Sequence, residues 1–172
     1  LIDKNTQVTL FGWSLGGLIA LEIATILEQL GYLDIRIYLL DTIVFDEQLR
    51  LYQNRAVNQK YQLRDFLVSQ AYDSDYISKI FKNYDTEISL AQSPISNNLR
   101  YTKIVLFKAM QVGSQFDGDI NIDMMQYILN LTTNNIESCL SDLAQLSVLN
   151  LNHAHHWNIL EQKEMFDFIT GS

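Results

Sequence analysis

Val8-Thr9-Leu10-Phe11-Gly12-Trp13-Ser14-Leu15-Gly16-Gly17 is the stretch that decides the fold. Its first four residues are β-branched, aliphatic or aromatic, as a short buried strand requires. From Leu15 the period changes: Leu18, Ile19, Leu21, Ile23, Ile26, Leu27 and Leu30 recur at helical spacing, and Gly31 supplies a left-handed stop. Between strand and helix stands Gly12-Trp13-Ser14-Leu15-Gly16, a G-x-S-x-G sequence that puts a serine on a sharp strand-to-helix turn. Such a turn projects the hydroxyl beyond the sheet, where it can act as a nucleophile. Gly12 and Gly16 are expected to be the positions where strand and helix crowd together and a β-carbon has no room. The backbone N–H of Leu15, at the helix start, is the expected oxyanion donor, helped by the positive end of the helix dipole.

Outward from this turn, Ile35-Arg36-Ile37-Tyr38-Leu39-Leu40 returns to strand character, which completes a βαβ unit and predicts a parallel sheet with a right-handed crossover. Residues 46–98 contain no convincing strand. Their apolar positions, among them Leu49, Tyr52, Val57, Leu63, Phe66, Leu67, Tyr72, Tyr76, Ile77, Ile80 and Phe81, suit several short helices closed by the only proline, Pro94. A helical insertion of this length resembles a lid, and ordinary crossover helices on a sheet face would give the same pattern. Ile104-Val105-Leu106-Phe107 is the next strand, followed by a polar loop from Gln111 to Asp119 and a helix around Asp123–Leu131. A weaker strand, Leu146–Leu151, runs into a histidine cluster, and Glu161–Ile169 closes the chain as a helix. The expectation is one α/β domain over residues 1–172, with the helical region 46–98 inside it.

A serine hydroxyl needs a base to take its proton, commonly a histidine oriented by a carboxylate. All three histidines, His153, His155 and His156, lie together after the last strand. Periodicity does not choose among them. A zinc site at His153-Ala154-His155-His156 is disfavoured because no carboxylate or cysteine stands at matching spacing. For the acid, Asp41 follows the second strand and Asp117 lies in the loop after the third. Either gives the chain order Ser, Asp, His.

Composition narrows the partners. The 172 residues carry 12 Lys and Arg against 20 Asp and Glu, a net charge of −8, with no basic run, which disfavours nucleic acid and anionic membrane surfaces. The most apolar stretch, Leu18–Leu30, is interrupted by Glu22, Thr25, Glu28 and Gln29 and falls short of the roughly 18 residues of a membrane span. The single cysteine, Cys139, requires no oxidising compartment and is expected to be a buried, inert thiol, with the cytoplasm as the default location. The opening Leu1-Ile2-Asp3-Lys4-Asn5 has neither an initiator Met nor a signal-peptide pattern, so the sequence is expected to lie inside a longer chain.

Four segments together resemble the thioesterase domains of nonribosomal peptide and polyketide synthetases and their stand-alone relatives, which have the α/β-hydrolase fold. They are Phe11-Gly12-Trp13-Ser14-Leu15-Gly16-Gly17-Leu18-Ile19-Ala20, Tyr38-Leu39-Leu40-Asp41, Ile104-Val105-Leu106-Phe107-Lys108-Ala109, and His156-Trp157-Asn158-Ile159-Leu160. The resemblance implies a partial α/β-hydrolase fold whose N-terminal strands, and with them a second oxyanion donor, precede this sequence. It favours Asp41 over Asp117, because the family's acid follows the strand after the nucleophile helix. It favours His156 as base, because Ile159 and Leu160 fill the family's hydrophobic positions three and four residues later. The implied activity is acyl or peptidyl release from the phosphopantetheine thioester of a carrier domain, by hydrolysis or macrocyclisation, with Ser14, Asp41 and His156 as the triad. No resident cofactor and no metal are expected. A general carboxylesterase, or a non-catalytic docking module that self-associates through a truncated sheet edge, are the competing expectations.

Overall fold

The computed structural model describes residues 3–4, 6–55, 64–65, 67–93, 98–112 and 122–171. Four strands run parallel in one sheet: β1 (Val8–Trp13), β2 (Ile35–Leu40), β3 (Lys103–Gln111) and β4 (Leu146–His155), in the spatial order β1-β2-β3-β4. Parallel neighbours need crossovers, and helices supply them. α1 (Leu15–Gln29) joins β1 to β2, α2 (Glu47–Arg55) and α3 (Ser74–Ala91) lie between β2 and β3, α4 (Ile122–Asn130) lies between β3 and β4, and α5 (Lys163–Thr170) closes the chain.

The sheet is covered on both faces, which is why β2 and the middle of β3 are apolar without alternation. Ile35, Ile37 and Leu39 of β2 pack with Ile104 and Leu106 of β3 against Leu18, Ala20, Leu21 and Ala24 of α1. Tyr38 and Leu40 point the other way, into a second cluster with Phe107, Ala109, Leu151, Ala154, Ile159 and Met165. The register pairs Trp13 with Leu40 and Leu40 with Phe107, so β1 and β2 end side by side while β3 runs on to Gln111. In a parallel α/β sheet that edge is where ligands bind.

Two expectations are revised. β4 does not stop at Leu151 but continues through His155. The region 46–98 holds an 18-residue helix, α3, started by Asp73, whose side chain accepts the Tyr76 N–H at 2.9 Å, so its helices are not all short. β1 pairs only with β2 among the described residues, and the outer side of α1 carries exposed Ile19, Ile23 and Ile26, followed by exposed Leu30. Pro94, Val57, Leu63 and Phe66, together with most of the polar loop before α4, lie outside the described residues. Among those described, no helix is long and apolar enough to cross a membrane. Cys139 is free and fully buried, and burial pushes its thiol up, as an inert role requires.

The end of α1 is tied to the approach to β3 through Glu28. Its carboxylate accepts the N–H groups of Arg100, Tyr101 and Thr102, each at 2.9 Å, and the Thr102 hydroxyl at 2.7 Å. Burial alone would raise the Glu28 carboxyl, but the hydrogen bonds from Arg100, Thr102 and Tyr101 outweigh it and hold it below its usual value. A folded-state value below the unfolded one means that the stabilisation is present above the ordinary glutamate range and is lost as pH falls through the lower folded value. Glu28→Gln is therefore expected to cost about 1 kcal/mol at pH 7. In urea melts repeated from pH 7 downward, the difference from wild type should shrink below about pH 4. A pH-independent difference would contradict the assignment.

Candidate active site

Ser14 follows the last residue of β1 and caps α1 with φ 54° and ψ −123°, a conformation that costs a non-glycine residue about 1–3 kcal/mol. Backbone and side-chain bonds hold it there. Its N–H donates to the Leu40 carbonyl at 3.0 Å, and its own carbonyl accepts the Gly17 N–H at 3.0 Å and the Thr42 hydroxyl at 3.1 Å. Close packing closes the turn. A β-carbon on Gly12 would lie 2.4 Å from the Gly17 Cα, and one on Gly17 would lie 1.9 Å from the Thr42 Oγ1. Gly16, expected to be crowded, has open space around a β-carbon instead; Gly17 takes that part, because it is the residue that faces the strand ends. Leu15 is the first residue of α1, so its N–H has no acceptor within the helix.

Asp41 stands just past β2, also with positive φ, 46°. Its N–H donates to the Phe107 carbonyl at 2.8 Å, and the residue is buried, 7% exposed. Oδ1 accepts the Ala109 N–H at 3.1 Å, and Oδ2 is 2.8 Å from Nδ1 of His156. An ionised carboxylate only accepts, so in this pairing Nδ1 of His156 is the donor. His156 is the first residue beyond β4, whereas His153 and His155 belong to the strand itself, where all three had been expected to follow it. His155 is engaged locally: its Nδ1 accepts the Trp157 N–H at 3.2 Å. Asp117 lies outside the described residues. Among the described residues, no cluster of three or more His, Cys, Asp or Glu could hold a metal ion.

Sequence reasoning overlooked three neighbours of this pair. Lys108 is 1% exposed, and its Nζ donates to the carbonyls of Ile128 and Leu129, both at 3.0 Å, and to that of Leu131, at the end of α4. Burial pushes its ammonium down, and the negative charge of Asp41 opposes that shift. The charge is thus balanced by a helix C-terminus and by the carboxylate next to it. Thr42 is fully buried beside the Ser14 turn, and Asn134 Nδ2 donates to its carbonyl at 3.1 Å. Trp13 packs its indole on the His156 ring with centroids 5.3 Å apart. A charged residue inside the apolar run Ile104–Ala109 was the available signal for Lys108.

No family model and no curated protein matches the chain. Solved structures do. The NocB thioesterase domain from the nocardicin cluster superposes with a TM-score of 0.52 at 20% identity, covering 94% of this chain and 60% of that chain. The covalent complex of the NocB thioesterase domain with a fluorophosphonate nocardicin G analogue gives a TM-score of 0.56 at 20% identity, covering 96% of this chain and 63% of that one. The fold, four parallel strands flanked by helices, is thus the α/β-hydrolase fold of thioesterase domains. This chain spans less than two thirds of the length of those structures.

Proposed function

We propose that this chain carries the catalytic residues of a thioesterase-type serine hydrolase, with Ser14 as nucleophile, His156 as general base and Asp41 as its orienting acid. The observation that carries the reading is the 2.8 Å hydrogen bond between Asp41 and His156, residues 115 positions apart, made at the same sheet edge as the strained Ser14 turn. In this mechanism Nε2 of His156 takes the Ser14 proton, and the Ser14 oxygen attacks a thioester carbonyl. The N–H of Leu15 stabilises the oxyanion, the thiol leaves with the proton from His156, and an acyl-serine remains. Water releases a free acid, or an internal amine or hydroxyl releases a ring. The favoured substrate is an acyl or peptidyl chain on the phosphopantetheine arm of a carrier domain, and no resident cofactor is required. The region 46–98, which includes α2 and α3, would serve as the lid that controls water entry.

The test is active-serine labelling with a fluorophosphonate, read by intact mass and peptide mapping. Labelling confined to Ser14, abolished in Ser14→Ala and His156→Ala and retained in His153→Ala and His155→Ala, is the expected result. No labelling of the wild-type protein would overturn the reading and leave association through the exposed side of α1 and the edge of β1 as the alternative. Turnover of acyl thioesters in preference to matched oxygen esters separates the thioesterase from a general carboxylesterase.

A further inference from the structure

We infer that Trp13 is the positioning residue that anchors the histidine-bearing turn over the nucleophile, an inference that rests on the serine-hydrolase reading above. β1 and β4 are the outer strands of the described sheet, with β2 and β3 between them. At a strand spacing of about 4.8 Å they lie about 14 Å apart. A histidine placed just after β4 therefore does not reach a serine at the end of β1 unless its turn folds back across the ends of β3 and β2. Asp41, at the end of β2, catches the ring from below through Nδ1. Something must hold the turn the rest of the way.

Trp13 does this with two groups. Its Nε1–H donates to the backbone carbonyl of His156 at 3.1 Å, across 143 positions of sequence. Its indole lies against the imidazole, centroids 5.3 Å apart and planes tilted by 31°. Trp157 closes the edge, at 75° to Trp13 and 89° to the His156 ring. Even with these contacts in place the His156 side chain is 30% exposed, so losing them lets more water compete for its bond to Asp41. Because Trp13 immediately precedes Ser14, the strand end that sets the nucleophile also sets the base. The indole face, negative at its centre, further favours the imidazolium that forms when His156 takes the serine proton.

Trp13→Phe and Trp13→Leu separate the two groups. Phe keeps an aromatic face and loses the donor, so fluorophosphonate labelling of Ser14 is expected to slow about 5-fold, the worth of one hydrogen bond. Leu loses both, and a displaced base costs about 100-fold. The second readout is the downfield proton resonance of the His156 Nδ1–H shared with Asp41. It is expected in wild type and in Trp13→Phe, and broadened away in Trp13→Leu by exchange with water. Glu28→Gln, remote from the site, controls for lowered stability and is expected to label at the wild-type rate. A folded Trp13→Leu with the wild-type rate and resonance would overturn the inference. If that variant does not fold, a Trp13→Phe protein with the wild-type rate would do so. If wild-type Ser14 is not labelled at all, the serine-hydrolase reading falls, and the proton resonance alone then decides whether Trp13 holds the His156 ring.

Discussion

Asp41→Asn is expected to lower kcat/KM for a thioester substrate by about 10⁴-fold while leaving the fold intact. The reason is the direction of two hydrogen bonds. The Ala109 N–H is a backbone donor fixed by β3, and it meets the Asp41 side chain at Oδ1, 3.1 Å away. An asparagine there must turn its carbonyl oxygen toward that N–H, which leaves its amide NH₂ facing Nδ1 of His156. Two donors do not pair, so the imidazole shifts its proton to Nε2. The base is then blocked on the side that must accept the Ser14 proton. Volume and packing hardly change, so the Tm should stay within a few degrees of wild type. The substitution also removes the negative charge beside the buried Lys108, whose three carbonyl partners at the end of α4 remain. Kinetics on the folded variant, with circular dichroism as the check on structure, would decide the matter. A loss of less than tenfold would mean that Asp41 does not orient the base.

The parts of this site that were legible in the sequence are those set by neighbours along the chain. The strand Val8–Phe11, the serine turn and α1 follow one another directly, so a β-branched and aromatic run, a turn and then helical period are all visible in one short window. β2 was placed to the residue, because Gly31 stops α1 and Asp41 stops the apolar run. The choice of histidine was less legible. Ser147, Asn150 and Asn152 dilute the apolar pattern of β4, so the pattern ends the strand at Leu151, and only its pairing with β3 carries it to His155. That extension leaves His156 as the single histidine beyond the strand. Trp13, Thr42 and Lys108 were illegible in their roles for a simpler reason. Each acts on a residue far along the chain, and a one-dimensional pattern does not carry contacts of that separation.

Gly12→Ala is expected to destabilise the protein by about 3 kcal/mol or more, at the upper end for an overpacked site. Its new β-carbon would stand 2.4 Å from the Gly17 Cα, 2.5 Å from the Gly17 nitrogen and 2.6 Å from the Gly16 carbonyl oxygen. Carbon atoms at rest keep about 3.5–4.0 Å, and all three obstacles are backbone, so no side-chain rotation relieves the clash. The start of α1 must move away from β1. Ser14 lies between the two, and its strained φ depends on the Leu40, Gly17 and Thr42 bonds that fix both sides of the turn. For a chain of this length the loss corresponds to a fall in Tm of about 6–12 °C. Ser14 labelling should disappear with it, even below the new Tm. Gly16→Ala supplies the contrast within the same five residues. Its β-carbon meets nothing within 4 Å, and alanine favours helix over glycine, so the expected change is neutral to a gain of about 0.5 kcal/mol with labelling retained. Thermal melts of the two variants side by side therefore separate crowding at the turn from a general intolerance of substitution in G-x-S-x-G. Equal stability of the two would show that the close approach of β1 to α1 is not what shapes the nucleophile.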